Sequence, residues 1–139
     1  MNTSNPSKDV IVYTTGVFDL LHYGHINFLN KARDLGDILV VGLVDDEAVR
    51  QEKGDTRPFM SWAMRKYLLQ SLICVDYVIK QVTFEPNPKI RVSVIAKGED
   101  QDHVSEDFAL KNDIPIVRLQ RTEGVSTSKL GGEDASNLE

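Results

Sequence analysis

A segment near the start of the chain joins a strand pattern to a helix pattern and places two histidines at the junction. The apolar residues 10–13 predict a short buried strand, and from Ile26 to Leu35 apolar residues recur at helical spacing. Between them, residues 15–25 read Thr-Gly-Val-Phe-Asp-Leu-Leu-His-Tyr-Gly-His. A strand, a glycine turn and a helix start in this order bring free backbone N–H groups and the positive end of the helix dipole to one corner, which favours phosphate binding.

The two histidines of this segment stand three positions apart. His22 and His25 therefore share one side of the first helical turn, and Gly24 between them leaves room for a ligand beside the backbone. Two imidazoles in this place can donate hydrogen bonds to phosphate oxygens as negative charge shifts during a reaction. The spacing alone also fits half of a zinc site or two surface residues, but the agreement between motif and context favours phosphate chemistry.

Length and composition limit the class of protein. The 139 residues suit one domain with a real core, and 41% hydrophobic with 27% charged residues is ordinary for a soluble globular protein. No apolar run approaches the ~20 residues that span a bilayer, and the polar N-terminus is not a secretory signal. The single cysteine, Cys74, excludes an internal disulfide and fits a reducing cytoplasm. The net charge of −5 argues against nonspecific binding to nucleic acid or anionic lipid, so we expect a cytoplasmic protein without nucleic-acid or membrane partners.

Strand-like and helix-like segments alternate along the chain. This order predicts an α/β fold in which one parallel sheet lies between helical layers, with ligands bound beyond the carboxyl ends of the strands. We expect one domain over residues 10–130, a frayed N-terminus over 1–9 and a polar tail over 131–139. The predicted strands are 10–15, 38–44, 75–79, 92–96 and 114–119, and the predicted helices are 24–35, 46–50, 62–72, 105–112 and a short one from Ser126.

Positively charged side chains are candidates for binding phosphate. Lys53 precedes a glycine in a loop predicted over residues 51–59, from which a lysine can reach a phosphate, although a solvated charged loop fits equally well. Arg65 lies on the next predicted helix, where its position also fits an ordinary surface residue of an amphipathic helix. Lys89 and Arg91 are possible contacts for the phosphate of an acceptor, or solvated residues.

Residues 97–100, Lys-Gly-Glu-Asp, follow the fourth predicted strand. A strand end with a glycine and carboxylates can line a base pocket or hold Mg²⁺ through water. An ordinary turn fits the same residue types equally well.

The run Arg-Thr-Glu-Gly-Val-Ser-Thr-Ser over residues 121–128 predicts a second phosphate-binding corner. Ser126 and Thr127 open the last predicted helix, so hydroxyl and free N–H groups converge there on an anion. Gly124 permits a tight turn, and Arg121 offers a fork of donors. An ordinary capped helix would explain Ser126 alone, so the full run favours nucleotide binding.

The motif Gly-x-Phe-Asp-x-x-His-x-Gly-His over residues 16–25 resembles the hallmark of the cytidylyltransferase-like nucleotidyltransferases. The resemblance extends from about Val10 to about Leu130 and implies a Rossmann-like fold. It implies a reaction in which a substrate phosphate attacks the α-phosphate of a nucleoside triphosphate and pyrophosphate leaves, with Mg²⁺ bridging triphosphate oxygens. It also implies a homodimer.

The resemblance assigns roles to individual residues, and it assigns no metal ligand to the protein. The implied catalytic residues are His22, His25, Lys53 and Arg121. The implied supporting residues are Asp19, Asp46 and Arg65. The implied nucleotide-binding residues are Gly16, Val17, Phe18, Gly24, Lys97, Gly98, Asp100, Arg121, Thr122, Glu123, Gly124, Ser126, Thr127 and Ser128.

The two ends of the chain favour different nucleotides. The Gly-Val-Phe-Asp start and the Lys-Gly-Asp-Thr-Arg-Pro loop resemble heptose-phosphate adenylyltransferase domains, and Val17 stands where glycerol-3-phosphate cytidylyltransferases usually have threonine. Residues 121–128 and the His-Tyr-Gly-His form resemble the cytidylyltransferases. We therefore expect CTP and a small phosphate monoester such as glycerol 3-phosphate, with ATP and a sugar phosphate as the alternative. A nucleotide-binding module without turnover is the third possibility.

Overall fold

The computed structural model describes residues 8–99 and 105–120, and it confirms that strands and helices alternate. In chain order the elements are β1 (Ile11–Gly16), α1 (Tyr23–Arg33), β2 (Ile38–Val44), α2 (Asp46–Lys53), α3 (Trp62–Gln70), β3 (Tyr77–Gln81), β4 (Val94–Gly98), α4 (Glu106–Asn112) and β5 (Ile116–Leu119).

The five strands form one parallel sheet in the order β3-β2-β1-β4-β5. The chain builds outward from β1 through β2 to β3, and then returns to add β4 and β5 on the other side of β1. The carboxyl ends of β1 and β4 therefore meet at the point where the strand order reverses, which is where ligands bind in open parallel sheets. This arrangement confirms the predicted Rossmann-like α/β fold.

The two central strands are nearly continuous runs of buried residues, as a sheet covered on both faces requires. Helix α1 covers the sheet with Leu29 and Ala32, both 0% exposed. Helix α3 adds Leu69 to the same core. Between the strands, the hydroxyl of Thr14 donates to the carbonyl of Ala96 over 2.8 Å, which joins β1 to β4.

A buried polar network lies between β1 and β3. The hydroxyls of Tyr13 and Thr15 both donate to Gln81 Oε1, over 2.6 and 3.1 Å. Gln81 Nε2 donates in turn to the carbonyls of Thr83 and Phe84. Burial raises the pKa of Tyr13 above its usual range, so the phenol stays a hydrogen-bond donor. The network fits because Gly42, on β2 between β1 and β3, has no side chain. A Cβ there would overlap Tyr13 Oη and Gln81 Oε1.

Three strands begin two residues later than predicted: β3 at Tyr77, β4 at Val94 and β5 at Ile116. The side chains of the polar residues that precede β3 and β4 bind the backbone of the neighbouring strand. Asp76 Oδ2 accepts from the N–H of Leu39 over 2.8 Å, and Ser93 Oγ accepts from the N–H of Ile11 over 2.9 Å. The backbone N–H groups of Asp76 and Ser93 donate to the carbonyls of the same two residues, Leu39 and Ile11. A side-chain oxygen thus takes the place of a strand carbonyl as acceptor, and the regular ladder starts after it.

Helix α2 runs to Lys53, three residues beyond the predicted end at Arg50. Gly54 ends it, because its φ of 100° lies in the region that favours glycine. Helix α1 ends at Arg33 and α3 at Gln70, two residues earlier than predicted in both cases. The predicted helix from Ser126, the tail over 131–139 and most of the predicted frayed N-terminus lie outside the described residues.

None of the helices within residues 8–99 and 105–120 has both the length and the apolar character needed to cross a membrane.

Candidate active site

The predicted glycine turn begins where β1 ends. Gly16 is the last residue of the strand, and the ring of Phe18 packs so closely over it that a side chain at position 16 would overlap the ring. Phe18 and Leu20 both have left-handed backbone, with φ values of 50° and 53°. Residues with a Cβ rarely adopt this conformation, so the turn persists because surrounding contacts hold it.

The two histidines form a reciprocal cap on α1. His22 is the N-cap residue, and its Nδ1 accepts from the N–H of Gly24 over 3.0 Å. His25 is the third helical residue, and its Nδ1 accepts from the N–H of His22 over 3.1 Å. The rings stack with centroids 3.9 Å apart, which confirms that the two side chains lie together. Capping of this kind normally uses serine or threonine with glutamate or glutamine, and here two imidazoles take the place of those side chains.

These caps fix the tautomer of both imidazoles. A backbone N–H can only donate, so each Nδ1 that receives one carries no proton. The proton of each neutral ring is then on Nε2, which leaves two Nε2–H donors at the helix N-terminus. Burial, and secondly the neighbouring His22, lower the pKa of His25 to about 4, while the negative charge of Asp19 acts in the opposite direction. His25 is therefore a neutral donor at neutral pH.

Arg65 is buried, so the alternative of a surface position is wrong. Its side chain is 0% exposed and reaches the loops that follow β1 and β2. Its Nη1 donates to the carbonyls of Val17 and Val44 over 2.8 and 3.0 Å, and its Nε donates to the carbonyl of Met60 over 3.0 Å. Asp46 balances the charge with an oxygen 2.6 Å from Nη2. The predicted supporting role of Arg65 and Asp46 thus has a concrete geometry.

Asp19 joins the glycine turn to the start of α3. Its carboxylate accepts from the N–H of Phe59 over 2.6 Å and from the N–H of Met60 over 3.0 Å. The next residue, Ser61, is the predicted N-cap of α3, and its hydroxyl accepts from the N–H of Met64. Asp46 also contacts α3, because its second oxygen accepts from the N–H of Trp62.

Lys53 lies in the last turn of α2 and not within a loop, because the helix continues to Lys53 and is capped by Gly54. Its side chain is exposed at the edge of the loop over residues 54–61, which ends at the Asp19 contacts. Its role toward phosphate stays a prediction.

Lys97 and Gly98 belong to β4 and do not follow it, which corrects the predicted position. Lys97 is 2% exposed, and its ammonium is 3.1 Å from Glu106 of α4, which also pairs with Arg118 of β5. Both residues are near the carboxyl end of β4, but Lys97 is bound in this cluster. Nucleotide contacts from Lys97 and Gly98 stay predictions.

The second phosphate-binding corner lies outside the described residues. This applies to Asp100 and to Arg121, Thr122, Glu123, Gly124, Ser126, Thr127 and Ser128. The prediction that they meet the histidines around one triphosphate therefore stays a prediction. Within residues 8–99 and 105–120, no group of three or more His, Cys, Asp or Glu side chains is arranged to hold a metal ion.

A family model described as cytidylyltransferase-like matches residues 13–131 of this chain. The chain belongs to the cytidylyltransferase-like family. This match confirms the family expected from the histidine motif, and with it a nucleotidyltransferase. The cytidylyltransferase-like match includes the whole glycine turn, the histidine caps and residues 121–128.

Relatives of this cytidylyltransferase-like domain are longer proteins. The bifunctional protein HldE of Helicobacter hepaticus is 41% identical over 126 residues, which covers 86% of this chain and 25% of the relative. The same-named protein of Helicobacter pylori strain G27 is 40% identical over 139 residues, covering 94% of this chain and 28% of the relative. The chain thus spans about a quarter of the length of these curated relatives.

Solved structures show the same architecture. A lipopolysaccharide core biosynthesis protein from Thermoplasma volcanium matches with a TM-score of 0.69 and 28% identity, covering 83% of this chain and 99% of that chain. A protein of unknown function from Archaeoglobus fulgidus matches with a TM-score of 0.59 and 20% identity, covering 78% and 97%, and it supports the fold alone.

One cluster near the carboxyl end of β4 was not expected from the sequence. Glu106 binds both Lys97 and Arg118, but it is nine and twelve positions from them and no local pattern links the three. Arg91 donates to Ser93, which lies beside the first residue of β1. That is the amino end of the sheet, away from the histidines, and a phosphate contact from Arg91 stays a prediction.

Proposed function

We propose that this chain transfers an adenylyl group from ATP to a sugar phosphate and releases pyrophosphate. The similarity to the HldE proteins favours the adenylyl alternative over CTP, which was the first expectation. The glycine turn with Val17 and the segment from Lys53 to Pro58, which resemble heptose-phosphate adenylyltransferase domains, lie within residues 13–131. The lipopolysaccharide core is a saccharide, so the name of the Thermoplasma volcanium relative supports a sugar-derived acceptor.

One observation carries the chemistry of this proposal: the reciprocal cap leaves both histidines with Nε2–H donors beside the N-terminus of α1. An acceptor phosphate oxygen attacks the α-phosphorus, the new P–O bond forms, and the bond from that phosphorus to the oxygen bridging the β-phosphate breaks. The electron pair leaves with pyrophosphate. A phosphate monoester is already anionic, so positioning and charge stabilisation supply most of the catalysis.

The protein groups divide this task. His22 and His25 donate to the oxygens that gain negative charge. His25 can do so while it is neutral, because its Nε2 carries the proton of the neutral ring. Lys53 neutralises triphosphate charge from the end of α2, and Arg121, Ser126 and Thr127 bind the β- and γ-phosphates. Mg²⁺ supplies further charge neutralisation when bound through triphosphate oxygens and water, a mode that needs few protein ligands.

Pyrophosphate release tests this function directly. We expect release with ATP and a heptose phosphate or related sugar phosphate in the presence of Mg²⁺, and little with CTP, GTP or UTP. His22→Ala and His25→Ala should lower kcat by at least ~10²-fold, whereas Asp113→Asn, an exposed change distant from the histidines in sequence, should not. Release with CTP and glycerol 3-phosphate, but not with ATP and any sugar phosphate, would overturn the proposal.

CTP with glycerol 3-phosphate is the second candidate, because residues 121–128 resemble the cytidylyltransferases. A thermal-shift comparison of the four triphosphates with Mg²⁺ separates the two, since a ligand that binds only the folded protein raises its apparent stability. Stabilisation by a triphosphate without pyrophosphate release from any acceptor would favour a binding module. We also propose that the chain acts in the cytoplasm and forms a homodimer. Sedimentation of the purified protein tests the dimer.

A further inference from the structure

The left-handed turn around Asp19 is unfavourable by itself. Phe18 and Leu20 both carry side chains that disfavour a positive φ, and they stand on either side of Asp19. Such backbone persists only where the surroundings hold it, and it concentrates at functional sites. The contacts made by Asp19 therefore indicate what this conformation achieves.

The carboxylate of Asp19 binds a segment forty residues away. It accepts from two consecutive backbone N–H groups, of Phe59 and Met60, in a charge-assisted pair of hydrogen bonds. Phe59 and Met60 are the last residues before the N-cap of α3. Asp19 therefore fixes the end of the loop over residues 54–61 against the glycine turn.

Arg65 closes the same contact from the other side. Its Nε donates to the carbonyl of Met60, whose N–H already donates to Asp19. Its Nη1 donates to the carbonyl of Val17, which precedes the turn. Hydrogen bonds thus connect the turn, the end of the loop and α3 in a closed ring. Asp19 supplies the contact from the turn to the loop through its carboxylate.

The loop held by Asp19 begins at the residue after Lys53. Lys53 lies at the end of α2 and the loop runs from Gly54 to Ser61, so one end carries the candidate phosphate-binding lysine and the other is bound to Asp19. Asp19 itself lies three residues before His22, in the turn that leads into the histidine cap.

We propose that Asp19 is a positioning residue that sets the placement of the Lys53 segment relative to the two histidines. It acts through the loop over residues 54–61 and contacts no substrate itself. This inference rests on the proposed nucleotidyl transfer, because Lys53 and the histidines must act on the same triphosphate. A displacement of about 1 Å between reacting groups can lower a rate by ~10²-fold.

A double-mutant cycle tests the coupling. We expect Asp19→Ala to lower kcat/KM by ~10²-fold, and Lys53→Ala to lower it as well. If Asp19 acts through the Lys53 segment, then Asp19→Ala should cost much less in the Lys53→Ala background than alone. Asp19→Asn keeps one acceptor oxygen and should give an intermediate loss. Fully additive effects would overturn the proposal, because they would show that Asp19 acts independently of Lys53.

Limited proteolysis gives a readout that needs no turnover. Trypsin cleavage after Lys53 should accelerate at least ~10-fold in Asp19→Ala, because release of the loop end lets the exposed backbone at residues 53–54 unfold locally into the extended form that a protease binds. His22→Ala keeps the Asp19 contacts and should leave the cleavage rate unchanged, as should the matched control Asp113→Asn. Unchanged cleavage in Asp19→Ala would overturn the positioning role even if the enzyme were inactive. Faster cleavage in a protein that turns over no substrate would instead refute the proposed function alone.

Discussion

Replacing Arg65 by methionine tests how far the candidate site depends on one buried cation. Methionine is unbranched and apolar and fills similar space, but it removes every donor. The carbonyls of Val17, Val44 and Met60 cannot be removed with it, because they belong to the backbone. The change therefore differs from replacing a whole ion pair by apolar residues, which is often tolerated.

The magnitude follows from the burial of each contact. The hydrogen bond to Val44 is fully buried, so its carbonyl loses about 1–3 kcal/mol when left unpaired. The bonds to Val17 and Met60 are partly buried, and water can replace some of their value, leaving ~0.5–1.5 kcal/mol each. Asp46 is 32% exposed and keeps its bond to the N–H of Trp62, so the loss of its Arg65 partner destabilises the protein only slightly. We expect Arg65→Met to lower the free energy of unfolding by about 2–6 kcal/mol.

Urea unfolding followed by the fluorescence of Trp62, the single tryptophan of the chain, measures this loss. With a slope of about 1–3 kcal/mol per molar urea, the midpoint should fall by ~2 M. Arg65→Lys keeps the charge but cannot reach all four acceptors, so it should give an intermediate midpoint. The matched control is Arg50→Met, since Arg50 pairs with Glu47 on the surface of α2. Equal midpoints for Arg65→Met and Arg50→Met would refute the reasoning.

Three further predictions concern other positions. The pKa of His25 is about 4 in the folded protein and near 6.5 in the unfolded chain, so only the unfolded chain takes up a proton between these values. The free energy of unfolding is therefore unaffected by this group above pH 6.5. It falls by ~1–2 kcal/mol between pH 6.5 and 4, after allowance for partial exposure. Urea midpoints at pH 7 and 4.5 should show this component, His25→Gln should lack it, and equal pH dependence in both proteins would contradict the assignment. Gly42→Ala would push a methyl group into Tyr13 Oη and Gln81 Oε1, so thermal unfolding should show a loss of about 1–3 kcal/mol, and an unchanged melting temperature would argue against the buried network. Lys53→Ala should reduce turnover or triphosphate affinity with little change in melting temperature, because its side chain is exposed; unchanged kinetics would exclude it from the site.

Local patterns predicted the parts of the structure that local physics determines. The apolar run of β2 was predicted with its observed bounds, and the histidine turn was predicted because strand, glycine and helix signals are adjacent in the sequence. The start of α3 was predicted because Ser61 is an N-cap by residue type. In each case the deciding contacts lie within a few residues.

The parts that sequence reasoning missed depend on contacts between distant segments. Arg65 was predicted as a supporting residue, with a surface position as the alternative, but its burial was not predicted because its acceptors come from positions as far as 48 residues away. The late starts of β3 and β4 depend on Asp76 and Ser93 binding the backbone of neighbouring strands. No single-sequence pattern shows such partners, so these features required the assembled fold.

For protein engineering, the paired histidines at the start of α1 bring helix stability into conflict with the proposed activity. Serine at position 22 and glutamine at position 25 are better helix-capping residues, so a screen for heat resistance alone would favour His22→Ser and His25→Gln. Such a variant would fold well and keep the shape of the corner, yet it would lack both imidazole groups. Libraries built to improve robustness should therefore leave these two codons unchanged.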